Sequence, residues 1–393
     1  MKTVAKRQIV TAVCMMLVLA VSTSTVFAYP PDPDNAALLY YQAFLLYQSM
    51  DEAMQDTARE VARGEIEPDK EIRKHIEKCH DAIYYTMAAS EMQHCNWGLR
   101  YSDGFAMNMS YLAQVRQLAF LVIAEARVFA ADEAYREALE RCLVIRRLAG
   151  HVGDETIISL LVSVAVSRVA NDCMQDILGA MPPNLETLKW LKNELVSLSS
   201  RSLLTQTTLD AEREVSLDSM TVEGLKVVAD QLDAETRAAI LERLPEVSDE
   251  FLERNRTYYT NHMAAVQAVL SSRMPYEETM SQLKQLDNKP KEDLADNDSA
   301  TLASMLVPAV SKIYGHEMTA KTSFNALRAA LELYIAKAET GRLPESLPSG
   351  LPKDLFSGSD FGYEKKADGF VLRCRAKDLV KDQIHEYEFS VKN

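Results

Sequence analysis

The chain has 393 residues, with 57 Asp and Glu against 43 Lys and Arg and a formal net charge of −14. So acidic a surface repels phosphate backbones and anionic lipid, and nucleic-acid binding is excluded as an expectation. Only 13 glycines and 13 prolines, beside many Ala, Leu, Glu and Met, favour a chain built mainly of helices.

Residues 1–28 carry the three parts of a cleavable secretory signal peptide. Lys2, Lys6 and Arg7 form a basic start, and Ile9 to Val21 is an apolar run broken only by Thr11. Val26-Phe27-Ala28 then puts small residues at the two positions that signal peptidase reads. The apolar run is 13 residues, short of the roughly 20 that a membrane-spanning helix needs. An uncleaved anchor running to Ala28 is the alternative. A cut after Ala28 would leave 40 basic against 57 acidic residues, a charge near −17. The expectation is a periplasmic or secreted protein with no stable membrane insertion after cleavage.

Tyr29-Pro-Pro-Asp-Pro-Asp reads as an extended lead-in to a helical domain spanning 29–182. Asn35 is placed to cap an amphipathic helix with Leu38, Leu39, Tyr41, Phe44, Leu45 and Tyr47. Pro68 suits the first turn of the next helix, read as continuous over 69–94, and Gly98 to Gly104 interrupts. From Met109 to Leu178 the helical period is strong, broken at Ala131-Asp132-Glu133 and at Gly150 to Asp154. Ala126, Phe129 and Ala138 stand where a tetratricopeptide-type helix pair carries its small, aromatic and small residues, and the segment resembles such pairs. Pro182-Pro183 ends the block. A second helical block covers 183–298, with Leu188, Leu191, Leu195 and Leu198 in period, and closes in a charged linker, Asp287 to Asp298. A third part, 299–393, opens with a long helix from Ser299 to Glu339, with breaks expected near Pro308 and Gly315.

Gly341 stops that helix, and Pro344, Pro348 and Pro352 prevent its resumption. Phe361 and Tyr363, the turn signal Asp368-Gly369, then Phe370, Leu372 and Cys374 alternate at period two. A third strand carries Tyr387, Phe389 and Val391 against Glu386, Glu388 and Ser390. In this register Arg373 and Arg375 share the solvent face with Glu386 and Glu388. The fold class expected is mainly α: an antiparallel, tetratricopeptide-like helical-hairpin array, then a small α+β tail whose three-stranded antiparallel sheet packs on the preceding helix.

Two resemblances follow. Residues 322–391, through ALRAALELYIAKAETGRLPESL, LPKDLFSG and FGYEKKADGFVL, resemble the C-terminal half of the type II secretion major pseudopilin. Asp354 matches that family's loop aspartate, Leu355 stands where proline is usual, and the methylated pilin start is missing. The likeness implies the fold of the tail, not assembly into a pilus. NAALLYYQAFLLY, CNWGLRYSDG and YLAQVRQLAFLVIAEARVFA resemble uncharacterised exported helical bacterial proteins, a likeness that transfers no mechanism.

Five cysteines lie beyond residue 28: Cys79, Cys95, Cys142, Cys173 and Cys374. Export permits disulfides, and the odd count leaves at least one thiol unpaired. Cys79-His80 and His94-Cys95 look like four metal ligands, but one continuous helix would hold the two cysteines about 24 Å apart. His75 and Cys79 share a face at i, i+4, which is two ligands and not a site. Cys142 and Cys173 fall on neighbouring helices but not at mirrored positions about the turn near Gly150–Gly153, which argues against a bridge.

Catalytic signatures are missing: no HExxH, no G-x-S-x-G, no P-loop and no dinucleotide glycine pattern. Asp210 and Glu214 lie at i, i+4, and Glu212 and Glu214 flank Arg213. Solvated faces produce such pairs in any acidic chain. Trp97, Tyr101 and Tyr111 near a glycine-flanked loop could stack on a ligand, although core packing is the commoner role. No residue is assigned as catalytic, cofactor-binding or metal-ligating. The expected function is a non-enzymatic scaffold or binding protein of the envelope, engaging a protein or peptide partner through a helical surface, its oligomeric state open. The alternative is a hydrolase-type enzyme with a polar site in a helical groove.

Overall fold

The computed structural model describes residues 32–48, 51–153, 155–198, 204–230, 233–244 and 247–392. The signal peptide expected at 1–28 lies outside them. From Asn35 onward the chain gathers into one compact unit. The helices are α1 Ala36–Gln48, α2 Glu52–Ala62, α3 Lys70–Lys78, α4 His80–Ser90, α5 Tyr111–Ala131, α6 Tyr135–Val152, α7 Ile157–Ala180 and α8 Leu185–Ser197. They continue as α9 Leu204–Ser219, α10 Val222–Asp230, α11 Ala234–Arg243, α12 Asp249–Ser271, α13 Tyr276–Asp293, α14 Thr301–Leu306 and α15 Val310–Thr340. Strands β1 Gly362–Lys365, β2 Gly369–Arg373 and β3 Glu386–Ser390 close the chain in an antiparallel sheet of order β1-β2-β3. The protein is therefore mainly helical with a three-stranded tail sheet.

Helix starts follow ordinary capping chemistry. The Asn35 side chain accepts the Ala37 N–H and also ties Asn96, while Asp69 accepts from Glu71 and Ile72. Asp69, not Pro68, thus begins α3. The stretch expected to be one helix over 69–94 is broken at Cys79, whose φ of −91° and ψ of 9° leave the helical region. It ends at Ser90. Helices α5, α6 and α7 form successive antiparallel hairpins. Arg141 of α6 is paired with Glu125 of α5, and Ser163 Oγ of α7 donates to Ala149 O of α6 at 2.6 Å. Ala126 and Ala138 are both fully buried where α5 and α6 meet, and the Arg141 guanidinium lies 5.1 Å from the Phe129 ring centroid. Helix α7 is central, packed by α5, α6, α9, α15 and β3.

The charged stretch Asp287–Asp298, expected as a linker, is helical as far as Asp293. Its composition is that of a loop, but Tyr276, Leu283 and Pro290 recur at heptad spacing and are all buried. Asp287 within it has a packing role. Its two carboxylate oxygens accept from Val310 N (2.9 Å) and Ser311 N (3.1 Å), capping α15 from another helix. The long helix breaks at Pro308, as expected, but runs unbroken through Gly315. A Cβ at Gly315 would lie 2.2 Å from Val380 Cγ2, so glycine is there to admit the tail, not to end the helix. Gly341, at φ 78°, terminates α15.

The sheet packs its apolar face on α15, with the Tyr334 ring edge-on to Phe370 and Phe389 at 5.6 and 6.5 Å. Arg373 pairs with Glu386 at 3.0 Å on the outer face. Arg375 does not join them. Strand β2 ends at Arg373, and the Arg375 guanidinium donates to Asp360 O. Two buried aspartates tie the loops around the sheet. Asp354 accepts from Phe356 N, Ser357 Oγ and Arg375 N. Asp378 accepts from Val380 N (2.8 Å), Thr319 Oγ1 (2.9 Å) and His385 Nε2 (2.9 Å). Burial alone would raise the Asp378 carboxyl, but these hydrogen bonds outweigh it and hold the group below the ordinary aspartate value.

A depressed folded-state pKa stabilises the protein above the unfolded value near 4, and that contribution disappears as pH falls through the folded value. Urea midpoints of the wild type should therefore drop below about pH 4 more steeply than those of Asp378→Asn. Equal slopes in the two proteins would remove Asp378 from the acid response.

Candidate functional site

The sequence-selected residues separate into three groups. The acidic set on α9 splits by face. Asp210 and Glu214 are exposed, and Arg213 lies between them at 3.7 and 3.0 Å. This pair is a solvated surface network. Glu212 turns inward, where burial raises its carboxyl while the Ile157 N–H at the start of α7 opposes the shift. The aromatic set divides as well. Trp97 is buried, stacked on Tyr111 at 4.6 Å and on Tyr40 at 5.5 Å, and its Nε1 donates to His151 O at 2.7 Å. Trp97 and Tyr111 are core, whereas Tyr101 is 39% exposed and hydrogen-bonded to Glu155. No platform for a ligand results.

Among the possible metal ligands, Cys79 Sγ lies 3.6 Å from His75 Nε2, both buried, while His80 and His94 are exposed. Burial pushes the Cys79 thiol up to about 12 and the His75 imidazole down. Both shifts favour the neutral forms, so this pair is no thiolate–imidazolium nucleophile. Among the described residues no three His, Cys, Asp or Glu side chains gather where they could hold a metal.

The place where polar groups do converge is one the sequence reading missed. A half-open cavity of about 950 Å³ lies between α6, α7 and α15, with the ends of α4 and α8 and Leu355 of the tail at its edges. Helix α6 supplies Arg146 and Arg147. Arg147 reaches Glu91 with one nitrogen and Glu194 with another, the latter at 2.8 Å. Arg146 lies over the Phe324 ring, its guanidinium carbon 4.1 Å from the centroid. Helix α15 supplies Glu317 and Lys321, one turn apart and paired at 3.2 Å. Glu317 is 2% exposed, and its other oxygen accepts from Thr205 N at 2.9 Å and Thr205 Oγ1 at 2.5 Å, capping α9. Helix α7 presents Ser163 and Ser167, beside apolar Leu160, Met318 and Leu198.

Two polar groups that line it already hold partners within the protein. The Ser163 hydroxyl is committed to Ala149 O, and His151 Nδ1 is 3.0 Å from Tyr40 OH. A nucleophile needs a base within hydrogen-bond reach, and Ser163 spends its proton on a carbonyl. What the cavity offers is cations fixed in position by ion pairs and stacking, hydroxyls, and apolar walls. Two signals in the sequence point toward it: the Arg146-Arg147 doublet inside the apolar run LVIRRLAG, and Glu317 with Lys321 at i, i+4 on one helix face. No protein-family model, curated protein or solved structure matches the chain.

Glu317 and Arg213 make opposite predictions. Glu317→Ala removes the cap of α9 and should cost about 2 kcal/mol in urea unfolding. Arg213→Ala, in an exposed pair network, should change stability by no more than about 0.5 kcal/mol. Comparable losses for both would mean that α9 is not anchored through Glu317.

Proposed function

We propose that this chain is a non-enzymatic binding protein of the cell envelope, exported by the leader at 1–28, with a peptide segment as its ligand. The observation that carries the reading is the cavity between α6, α7 and α15, where Arg146, Arg147 and Lys321 are held in fixed positions beside apolar walls. A volume near 950 Å³ suits a few residues of an extended peptide. Immobilised guanidinium and ammonium groups suit a carboxylate, from an acidic side chain or a chain end. Stacked helical hairpins of the tetratricopeptide kind hold peptides on such inner surfaces, which agrees with the α5–α6–α7 packing. The pseudopilin-like reading of the tail belongs to the same proposal, as a module that closes one edge of the cavity through Leu355. Against the hydrolase alternative stand the partners already held by the Ser163 hydroxyl, Ala149 O, and by His151 Nδ1, Tyr40 OH.

Panning a random peptide display library against the full chain should enrich acidic sequences. Ala320 is half-buried, lines the cavity and is a good helix position, so Ala320→Trp fills the space without deleting a hydrogen bond. Enriched peptides should bind this variant at least about tenfold more weakly than the wild type, a loss of roughly 1.4 kcal/mol. No enrichment, or equal binding to both proteins, would defeat the proposal.

A further inference from the structure

Cys142 and Cys173 are free thiols on two extensively paired helices, α6 and α7, and both are 0% exposed. Their relation follows from the register of the two helices. The hydrogen bond from Ser163 Oγ to Ala149 O sets those two residues level on antiparallel neighbours, so the mirror point of the pair is Thr156. The argument against a bridge placed the turn at Gly150–Gly153. Helix α6 instead runs on to Val152 and α7 begins at Ile157, which moves the mirror point.

Two helical turns, about seven residues, carry α6 from Ala149 to Cys142 and α7 from Ser163 to Ala170. Cys173 lies one turn further, about 4.5 Å along the axis. In each helix the Cα–Cβ bonds lean toward the N-terminus. On α6 that lean carries the Cys142 side chain away from the connecting turn. On α7 it carries the Cys173 side chain back toward the turn. The lean of the side chains thus opposes the offset of the backbones and brings the two thiols, both free in this structure, toward each other across the helix pair.

We propose that Cys142 and Cys173 are a disulfide-forming pair, an intrachain staple between α6 and α7 made by exchange with a disulfide-bearing oxidant of the glutathione class. One protein thiolate attacks a sulfur of the oxidant, breaking its S–S bond, forming a mixed disulfide and releasing one thiol. The second protein thiolate then attacks the first cysteine's sulfur and expels the other half of the oxidant. The two cysteines lose two electrons and two protons, and the oxidant is reduced to two thiols. Burial, then the contact with Cys173, hold the Cys142 thiol well above its usual range, and Arg127 opposes them. Attack on the folded chain is therefore slow, and closure belongs to the folding reaction, before α6 and α7 are sealed together.

The staple spans the wall of the cavity. Arg146 is one turn from Cys142 on α6, and Ser167 is on the same stretch of α7 as Cys173. Residues 143–172 are enclosed by the bond, a loop long enough to restrict the unfolded chain substantially. The inference rests on helix packing and is independent of the cavity's role.

The test is refolding of the reduced full chain in a mixture of reduced and oxidised glutathione, followed by alkylation and mass mapping without reduction. The expected product joins the Cys142 and Cys173 peptides, while Cys79, Cys95 and Cys374 are alkylated. Its melting temperature should exceed that of the dithiothreitol-treated protein by roughly 5 °C. Alkylation of both Cys142 and Cys173, or their capture in bridges to other cysteines, would overturn the proposal. In Cys142→Ala and Cys173→Ala the redox-dependent shift should vanish, and its persistence would also count against the pair. Should either variant fold poorly, the mapping on the unmodified chain still decides.

Discussion

The whole arrangement depends on enclosing one helix. Helix α7 is 24 residues long, with a mean hydropathy of 1.5 over its most apolar window, and is the one described helix long and apolar enough to cross a membrane. In this fold half of that window is buried inside the protein. Helices α5 and α6 cover one side, α15 and α9 another, and β3 its C-terminal end, where Gln175 Nε2 donates to Glu388 O. Covering apolar surface supplies the main driving force for the packing. Where α7 presents Ser163 and Ser167 toward α15, small side chains do not fill the gap between helices, and the cavity opens there.

The elements around α7 are fastened by carboxylates, and this gives the acidic composition a structural meaning as well as an electrostatic one. Asp287 caps α15, Glu317 caps α9, and Asp354 and Asp378 tie the loops of the tail. Glu317, Asp354 and Asp378 are buried, a cost offset by backbone N–H and hydroxyl donors that converge on them. Glu317 does two things at once. It anchors α9 and, through Lys321, holds a cation at the cavity. Anchoring and site construction are thus coupled in a single residue.

The helical period of residues 111–180, the α15–sheet tail and the outer-face pair Arg373–Glu386 were legible in the sequence, because periodicity and cross-strand register are local properties. The elements that were misread are those whose reason lies elsewhere in the chain. Pro290 and its charged neighbours look like a linker until Tyr276 and Leu283 are seen burying the same face. Gly315 looks like a helix break until Val380 is seen filling the space a side chain would take. The cavity escaped for the same cause. Arg146 gains Phe324 as a neighbour only through the tertiary fold, since the two lie on helices far apart in the chain.

Native-state hydrogen exchange on the full chain tests the central claim, that α7 is the enclosed axis of the fold, most directly. Amides of Ser163–Met174, a stretch whose inner face is buried, should exchange only through global unfolding, with an opening free energy equal to the stability measured in urea. Those of α10, which touches few elements, should open at lower free energy. Exchange of the α7 amides well below the global value, or faster than those of α10, would contradict the account.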